Sequence, residues 1–151
     1  MTLAERLRQD MIAALKSKQD LRLSTLRMAL AAVKYKEVER RAVLDDAGVQ
    51  QVLSTLIKQR EDSAQQFDAG GRPELAAKER GEIAILNEYL PQAASDEEIE
   101  AAVRQAIAAT GAQGAKDLGG VMKAAMAQFA AAGRRADGKI VNAAARRLLG
   151  A

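Results

Sequence analysis

The sequence predicts an all-α protein in two parts, a four-helix N-terminal domain at residues 1–92 and a small C-terminal three-helix bundle at residues 95–151. Apolar residues recur every three or four positions along most of the chain, which is the period of an amphipathic helix. No stretch keeps the apolar–polar alternation of a half-buried strand. Pro73, Pro91 and the Gly70–Gly71 pair stand between periodic segments and mark helix ends.

The first two helices are predicted from their apolar faces. Thr2 and Glu5 form a Thr-x-x-Glu capping box at the start of the first helix. Its apolar residues recur every four positions: Leu3, Leu7, Met11 and Leu15. The second helix has the apolar residues Leu23, Leu26, Leu30, Val33 and Val38.

Caps and a proline delimit the third and fourth helices. Asp45 and Asp46 can cap the third, whose apolar face runs from Val49 to Phe67. Pro73 suits the first turn of the fourth. Acid–base pairs four residues apart, such as Lys78 with Glu82, predict solvated faces. Four polar side chains are predicted to be partly buried and structural: Arg27, Tyr35, Arg60 and Tyr89.

The segment "PQAAS" after the fourth helix is the predicted linker. Ser95 and Glu98 form a second capping box, which begins a helix that stops near Gly111. The next helix ends at Gly133. The last helix begins at Asp137, and its apolar residues are Ile140, Val141, Ala144 and Leu148.

The stretch "GRRADGKI" fits Gly-x-x-x-x-Gly-Lys, most of a phosphate-binding P-loop. A P-loop follows a strand and has Ser or Thr after the lysine, whereas here a helical pattern precedes the motif and Ile140 follows Lys139. The pattern therefore favours a turn between helices. Gly133 would adopt the left-handed conformation there, and Asp137 would cap the last helix.

Composition excludes several kinds of chemistry. Of the 151 residues 48% are apolar, but aromatic residues are few and Cys and His are absent. Disulfides, thiol catalysis and the usual zinc and haem sites are therefore excluded, as is the commonest general base. We expect no cofactor and no bound metal. The charged opening "MTLAERLRQDM" is unlike a signal peptide, and no apolar run approaches about 18 residues, so we expect a cytoplasmic protein without a membrane partner.

Positive charge gathers near the end of the chain. Residues 101–151 carry eight bases against two acids. Lys139 and Arg146 are seven positions apart and so share a face of the last helix. We predict a surface that binds a phosphate backbone through Lys116, Lys123, Arg134, Arg135, Lys139 and Arg146. With few aromatic residues to stack on bases, a duplex or folded RNA fits better than a single strand. An ordinary solvated surface is the alternative.

Three stretches, in order and covering nearly the whole chain, resemble the YqeY family: "LRLSTLRMALAAVKYKEVE", "LIKQREDSAQQFDAGGRPELAAKERGEIAILNEYLP" and "GAKDLGGVMKAAMAQFAAAGRRADGKIVNAAARRLL". This family looks like a free-standing version of the C-terminal tail of GatB, the B subunit of the tRNA-dependent amidotransferase. Related modules are appended to some glutaminyl-tRNA synthetases. The resemblance implies a two-part helical fold and a non-catalytic, tRNA-binding accessory role.

The resemblance extends to single positions. The tail pattern Asp-Leu/Met-Gly-x-Val-Met-Lys corresponds to Asp117–Lys123, and Gly120 stands where relatives often have Lys, which removes one base from the predicted surface. Two other functions stay open. One is an adaptor that docks to an aminoacyl-tRNA synthetase or amidotransferase through an apolar groove between the domains. The other is a carbon–nitrogen ligase activity with glutamine as amide donor, for which the chain shows no counterpart of the catalytic cradle.

Overall fold

The computed structural model describes residues 1–150, and across these residues it is all-helical, as the sequence predicts. Seven α-helices follow one another: α1 Leu3–Lys16, α2 Asp20–Arg40, α3 Asp46–Ala69, α4 Pro73–Asn87, α5 Asp96–Thr110, α6 Leu118–Ala131 and α7 Gly138–Leu149. A single turn of 3-10 helix, Ala115–Asp117, precedes α6. The chain divides into two compact units, Met1–Leu90 and Pro91–Ala151.

Helix ends lie where the local sequence predicts them. The capping boxes of Thr2 with Glu5 and of Ser95 with Glu98 are both formed. Asp45 caps α3 through the Gly48 N–H, and Pro73 occupies the first turn of α4. These caps satisfy backbone N–H groups that have no partner inside the helix.

The core of the first unit joins all four helices. Leu7, Leu26, Leu53 and Leu86, one from each helix, are fully buried. The helix α3 packs along α4, α1 packs along α2, and α2 also contacts α3 and α4. This core is built from large aliphatic side chains, each of which removes much apolar area from water.

Three predicted core residues are exposed instead, Leu15, Val38 and Ile140. Successive helical residues are rotated by about 100°, so a repeat of four drifts by about 40° each time. By Leu15 the drift from Leu3 is about 120°, and Leu15 is 53% exposed. Val38 follows the buried Val33 by five residues, or about 140°, and is 67% exposed. A residue can belong to an apolar repeat and still leave the buried face.

The second unit has a core of smaller side chains. Val103, Val121 and Val141, one from each helix, are fully buried, and Phe129 adds the one aromatic ring among the buried core residues described in this unit. Each of α5, α6 and α7 packs against the other two. Five alanines are among its buried residues: Ala102, Ala106, Ala125, Ala144 and Ala145. Helices can approach closely over such residues, but each alanine buries little apolar area.

Candidate nucleic-acid interface

Two of the three exposed cations of the helix α7 share one solvent-facing side. Its buried residues are Val141, Ala144 and Ala145, whereas Lys139 and Arg146 are exposed. Lys139 and Arg146 are seven residues apart, which places them on one face about 10 Å apart along the axis. Lys139 makes no ion pair within residues 1–150, and Arg146 donates from Nε to the neutral Asn142 Oδ1 at 2.9 Å. Both charges are therefore available to an anionic ligand.

The turn before α7 confirms the interpretation of "GRRADGKI". Gly133 has φ 65°, the left-handed conformation that favours glycine. The Asp137 carboxylate accepts a hydrogen bond from the Lys139 N–H at 2.8 Å and so caps α7. A negative group thus already occupies the helix N-terminus where a P-loop would hold phosphate. The structure places α6 before the motif, with no strand leading into it.

Arg134 and Arg135 contact the start of the second unit. Arg134 Nη2 lies 3.2 Å from Glu98 Oε1, so an acid of the capping box offsets its charge. The Arg135 N–H donates to the Gln92 carbonyl at 3.0 Å, and the Arg135 carbonyl accepts from the Ala94 N–H at 2.7 Å. The predicted linker is therefore hydrogen-bonded to the α6–α7 turn. The sequence pattern predicts Glu98 only as a capping residue. Its ion pair with Arg134 joins distant positions, so no local pattern in the sequence indicates it.

Lys123 and Lys116 lie outside α7. Lys123 is exposed on α6, on the side away from the buried Val121, Ala125 and Phe129. Lys116 is exposed in the 3-10 turn. Next to it, backbone N–H groups of Gln113 and Gly114 hydrogen-bond Asp117 and lower the pKa of that carboxyl. Lys116 therefore stands beside a charged acid, which reduces the positive potential there.

Glu100, on α5, contacts two other arginines of the second unit. Glu100 lies 2.8 Å from Arg104 and 3.8 Å from Arg147. The hydrogen bond from Arg104, together with the charge of Arg147, lowers the pKa of Glu100. Four of the predicted cations make no ion pair within residues 1–150: Lys116, Lys123, Lys139 and Arg146.

Comparison with known proteins identifies the family. A sequence profile described as "Yqey-like protein" matches residues 4–149. The chain belongs to the YqeY-like family. Among curated proteins, it is 38% identical over 100 residues to "Altered inheritance of mitochondria protein 41, mitochondrial" of Lachancea thermotolerans, covering 64% of this chain and 54% of that protein.

Proteins of the same name from two other yeasts are also similar. The identity is 40% over 103 residues in Kluyveromyces lactis, covering 66% of this chain and 55% of the relative. It is 33% over 95 residues in Saccharomyces cerevisiae, covering 62% and 51%. The chain thus spans about half the length of the curated relatives it matches.

The compartment predicted from sequence needs correction. The expectation of a cytoplasmic protein is contradicted by these relatives, which are named as mitochondrial proteins. That expectation rested on a charged amino-terminal segment and on the lack of a long apolar run. Neither feature distinguishes the cytoplasm from the interior of an organelle, so the expectation is withdrawn. Within residues 1–150, no helix is both long enough and apolar enough to cross a bilayer.

Gly120, where the family resemblance leads us to expect a lysine in many relatives, lies on an exposed part of α6. A Cβ built at this glycine meets no other atom within 4 Å. The backbone there would therefore accept a lysine side chain, three positions before Lys123 and on the adjoining helix surface.

Sequence patterns predict the buried polar side chains of the first unit only in part. Arg60 and Glu82 form a buried ion pair with 2.7 Å between Nε and Oε2. The prediction that Glu82 lies on a solvated face with Lys78 is therefore wrong.

A second polar cluster surrounds Tyr89. The Tyr89 hydroxyl donates to Asp10 Oδ2 at 2.5 Å, and the Arg6 guanidinium lies 4.7 Å from the centre of the Tyr89 ring. Arg60 and Tyr89 are buried as predicted, whereas Arg27 and Tyr35 are exposed. All buried side-chain polar atoms in residues 1–150 have partners, which is typical of structural polar groups.

Proposed function

We propose that this member of the YqeY-like family is a non-catalytic, tRNA-binding accessory module, related in role to the tail of the amidotransferase B subunit. The observation that carries the proposal is the pair Lys139 and Arg146, which share the exposed face of α7 with no acidic partner within residues 1–150. Lys123 and Lys116 add charge from α6 and from the turn before it. Cations that project from a rigid helix suit the phosphates of a folded RNA, which is recognised mainly by shape and backbone.

Salt dependence provides the first test. Each phosphate contact releases counterions, so log affinity should fall with log salt by about 0.9 per contact. With three or four contacts, the slope for folded tRNA should be about −3 to −4, measured by fluorescence anisotropy of labelled tRNA in 50 to 200 mM NaCl. Absence of binding at 50 mM NaCl would rule out the proposal.

A charge-reversal pair locates the site. The double variant Lys139→Glu, Arg146→Glu should weaken tRNA binding at least tenfold. The matched control is Arg104→Glu, Arg147→Glu, which makes the same change in net charge at residues already paired with Glu100. Equal losses in both variants would show that only overall charge matters and that α7 is not the site.

A gain-of-function variant tests the departure at Gly120. The Gly120→Lys variant should tighten tRNA binding several-fold, because it adds a cation beside Lys123 where the backbone has room. Gly120→Ala is the control, since it removes the helix-weakening glycine without adding charge. If both variants bind tRNA equally well, helix stability rather than charge is responsible, and α6 is not part of the interface.

A second candidate function, an adaptor for an aminoacyl-tRNA synthetase or an amidotransferase, is favoured by an observation on the first unit. The helix α2 leaves large apolar side chains exposed, including Met28 and Tyr35. An adaptor would retain its partner enzyme in a pull-down after nuclease treatment, whereas a complex bridged by tRNA would not. Under either function we expect no glutamine-dependent amide formation by the purified chain, and detection of that activity would contradict the non-catalytic role.

A further inference from the structure

An apolar row runs along the exposed side of α2. Leu21, Met28 and Tyr35 follow one another at intervals of seven residues and are 38%, 51% and 74% exposed. Val38 extends the row on the next turn. A spacing of seven keeps side chains on one helix face, and apolar residues at this spacing are typical of a helix that packs against a second helix.

A basic row runs beside the apolar one. Arg27 and Lys34 are also seven residues apart on α2, and each precedes an apolar residue of the first row by one position. Arg41 adds a third cation at the C-cap of α2, where φ is 53° and the helical repeat no longer fixes its direction. All three are exposed, and none makes an ion pair within residues 1–150. One edge of the apolar row therefore carries three cations that make no ion pair within residues 1–150, with one acid of α2, Glu37, between Lys34 and Arg41.

The other edge of the apolar row carries less net charge. There α2 and α3 border a groove of about 460 Å³ whose α3 side presents Gln51, Thr55 and Gln59. The charges on its α2 side are Lys36 and Glu39, which pair with each other at 2.7 Å, and Arg40. The face thus has apolar residues in the middle, cations along one edge and, along the other, a groove lined by both polar and apolar side chains.

We propose that this face of α2 binds an acidic amphipathic helix of a partner protein. The apolar residues of that helix would cover Met28 and Tyr35, its carboxylates would lie along Arg27, Lys34 and Arg41, and its side chains would enter the groove beside α3. Complementary charges at the edge of a helix pair determine which partner binds and in which orientation. The proposal rests on the adaptor function in its general form, that the first unit binds protein, and is independent of tRNA binding by the second unit.

Charge and hydrophobicity together argue against other occupants. A nucleic-acid backbone would meet the basic row but would leave the apolar row uncovered. In a second copy of the chain packed antiparallel through the same face, the two basic rows would lie against each other, which is destabilising. An acidic helix is the occupant that satisfies both rows.

Designed peptides provide the probe. The first is a fluorescent 21-residue helix with leucine at the heptad core positions and glutamate at the flanking positions, used below the concentration at which it self-associates. The second has lysine in place of every glutamate. By fluorescence anisotropy with the full chain, we expect the acidic peptide to bind at least tenfold more tightly than the basic one. Equal binding of both peptides would overturn the proposal.

Surface variants then locate the contact. The triple variant Arg27→Glu, Lys34→Glu, Arg41→Glu should weaken binding of the acidic peptide about tenfold or more, and Tyr35→Ala should weaken it several-fold. Tyr35 is exposed, so its truncation leaves the fold intact. The matched control reverses three exposed lysines elsewhere on the first unit, Lys16, Lys58 and Lys78, and should change affinity less than twofold.

Three outcomes of the variant experiments would overturn the proposal. The first is an equal loss in the triple variant and its control. The second is self-association of the wild type that Tyr35→Ala abolishes, since the face would then bind a second copy. The third is a triple variant that loses affinity for tRNA but not for the peptide, since the face would then bind nucleic acid. Failure of the tRNA titrations alone leaves the α2 proposal standing, so the two failures can be distinguished.

Discussion

At the scale of single residues, the ion pair of Arg60 and Glu82 shows how burial changes the effect of a charged side chain on stability. Their side chains are only 7% and 8% exposed. Arg60 also donates from Nη1 to the Leu56 carbonyl at 3.3 Å, and its Nη2 lies 3.6 Å from the Met28 sulfur. The pair joins α3 to α4 beneath α2. Removal of one partner would leave the other charge buried without compensation.

We therefore predict that Glu82→Gln destabilises the first unit by about 3 kcal/mol, because Arg60 stays charged and buried. The double variant Arg60→Met, Glu82→Leu should recover most of that loss. Urea denaturation followed by tyrosine fluorescence measures the effect in the first unit, since both tyrosines lie there.

The control for this prediction is a second ion pair between the same two helices. Asp68 of α3 contacts Arg80 of α4, but both side chains are about half exposed. Asp68→Asn should shift the urea midpoint far less than Glu82→Gln, because water screens the exposed pair. Similar shifts in both variants would contradict the role assigned to burial.

Tyr89 provides a second case in which the surroundings set the chemistry of one side chain. Burial raises the pKa of the Tyr89 phenol, and the hydrogen bond to Asp10 raises it further. The folded protein therefore holds the phenolic proton more tightly than the unfolded chain does. The resulting stability is complete below the ordinary tyrosine pKa of about 10 and is lost as the pH rises through the raised pKa of the folded state.

Tyr89→Phe should consequently show two effects. At pH 7 it should lower the free energy of unfolding by about 1 kcal/mol, through loss of the hydrogen bond to Asp10. Above pH 10 the gap to wild type should narrow, because the variant has no phenol to ionise. Urea denaturation followed by circular dichroism between pH 7 and 11 measures both. The exposed Tyr35→Phe variant should show neither effect, and a gap that stays constant with pH would refute the prediction.

At the scale of helices, local caps fix where α7 begins and hence where its cations point. Asp137 holds the Lys139 N–H at 2.8 Å, and Gly133 turns the chain at the end of α6. Since Lys139 and Arg146 are seven residues apart, the helical geometry from Lys139 onward fixes their common face. The cap therefore helps to position the two side chains of the proposed interface.

We expect Asp137→Ala to destabilise the second unit by about 1 kcal/mol, the usual contribution of an N-cap. Amide hydrogen exchange should be about fivefold faster in the protected part of α7. Asp137→Asn is the control, because asparagine is also a good N-cap, and it should retain most of the protection. If alanine and asparagine accelerate exchange equally, the negative charge rather than the cap hydrogen bond is what stabilises α7.

At the scale of the whole molecule, the two units differ in the chemistry of their cores. The first is packed with leucines from all four helices, and the second with alanines and valines. Because small side chains bury less apolar area, hydrophobic burial contributes less to the stability of the second unit. Its backbone hydrogen bonds between residues 92–94 and Arg135 should then matter correspondingly more.

This difference gives a prediction for the boundary of the second unit. A fragment of residues 95–151, the domain predicted from sequence, should be less stable than a fragment of residues 91–151 by about 2 kcal/mol. The shorter fragment lacks two hydrogen bonds, Arg135 N–H to Gln92 and Ala94 N–H to Arg135, each of which contributes about 1 kcal/mol. Urea denaturation of both fragments, each acetylated at its N-terminus, measures the difference. Equal stability would support the boundary at residue 95.

The sequence alone determined the helices and their ends, because these depend on neighbouring residues. It also determined the family, because the stretches that resemble the family are read directly from the sequence. A capping box needs residues three apart, and an amphipathic face needs residues three or four apart. Thr2, Ser95, Gly133 and Asp137 all lie in the roles that their local patterns predict.

The tertiary structure decided which charges remain available. Glu98 offsets Arg134, Glu82 is buried with Arg60, and the segment before α5 pairs with the α6–α7 turn. Each of these contacts joins positions more than twenty residues apart, so no local pattern encodes it. Helical periodicity places a side chain on a face, but only the packing of the helices decides whether that face meets water, an apolar core or an opposite charge.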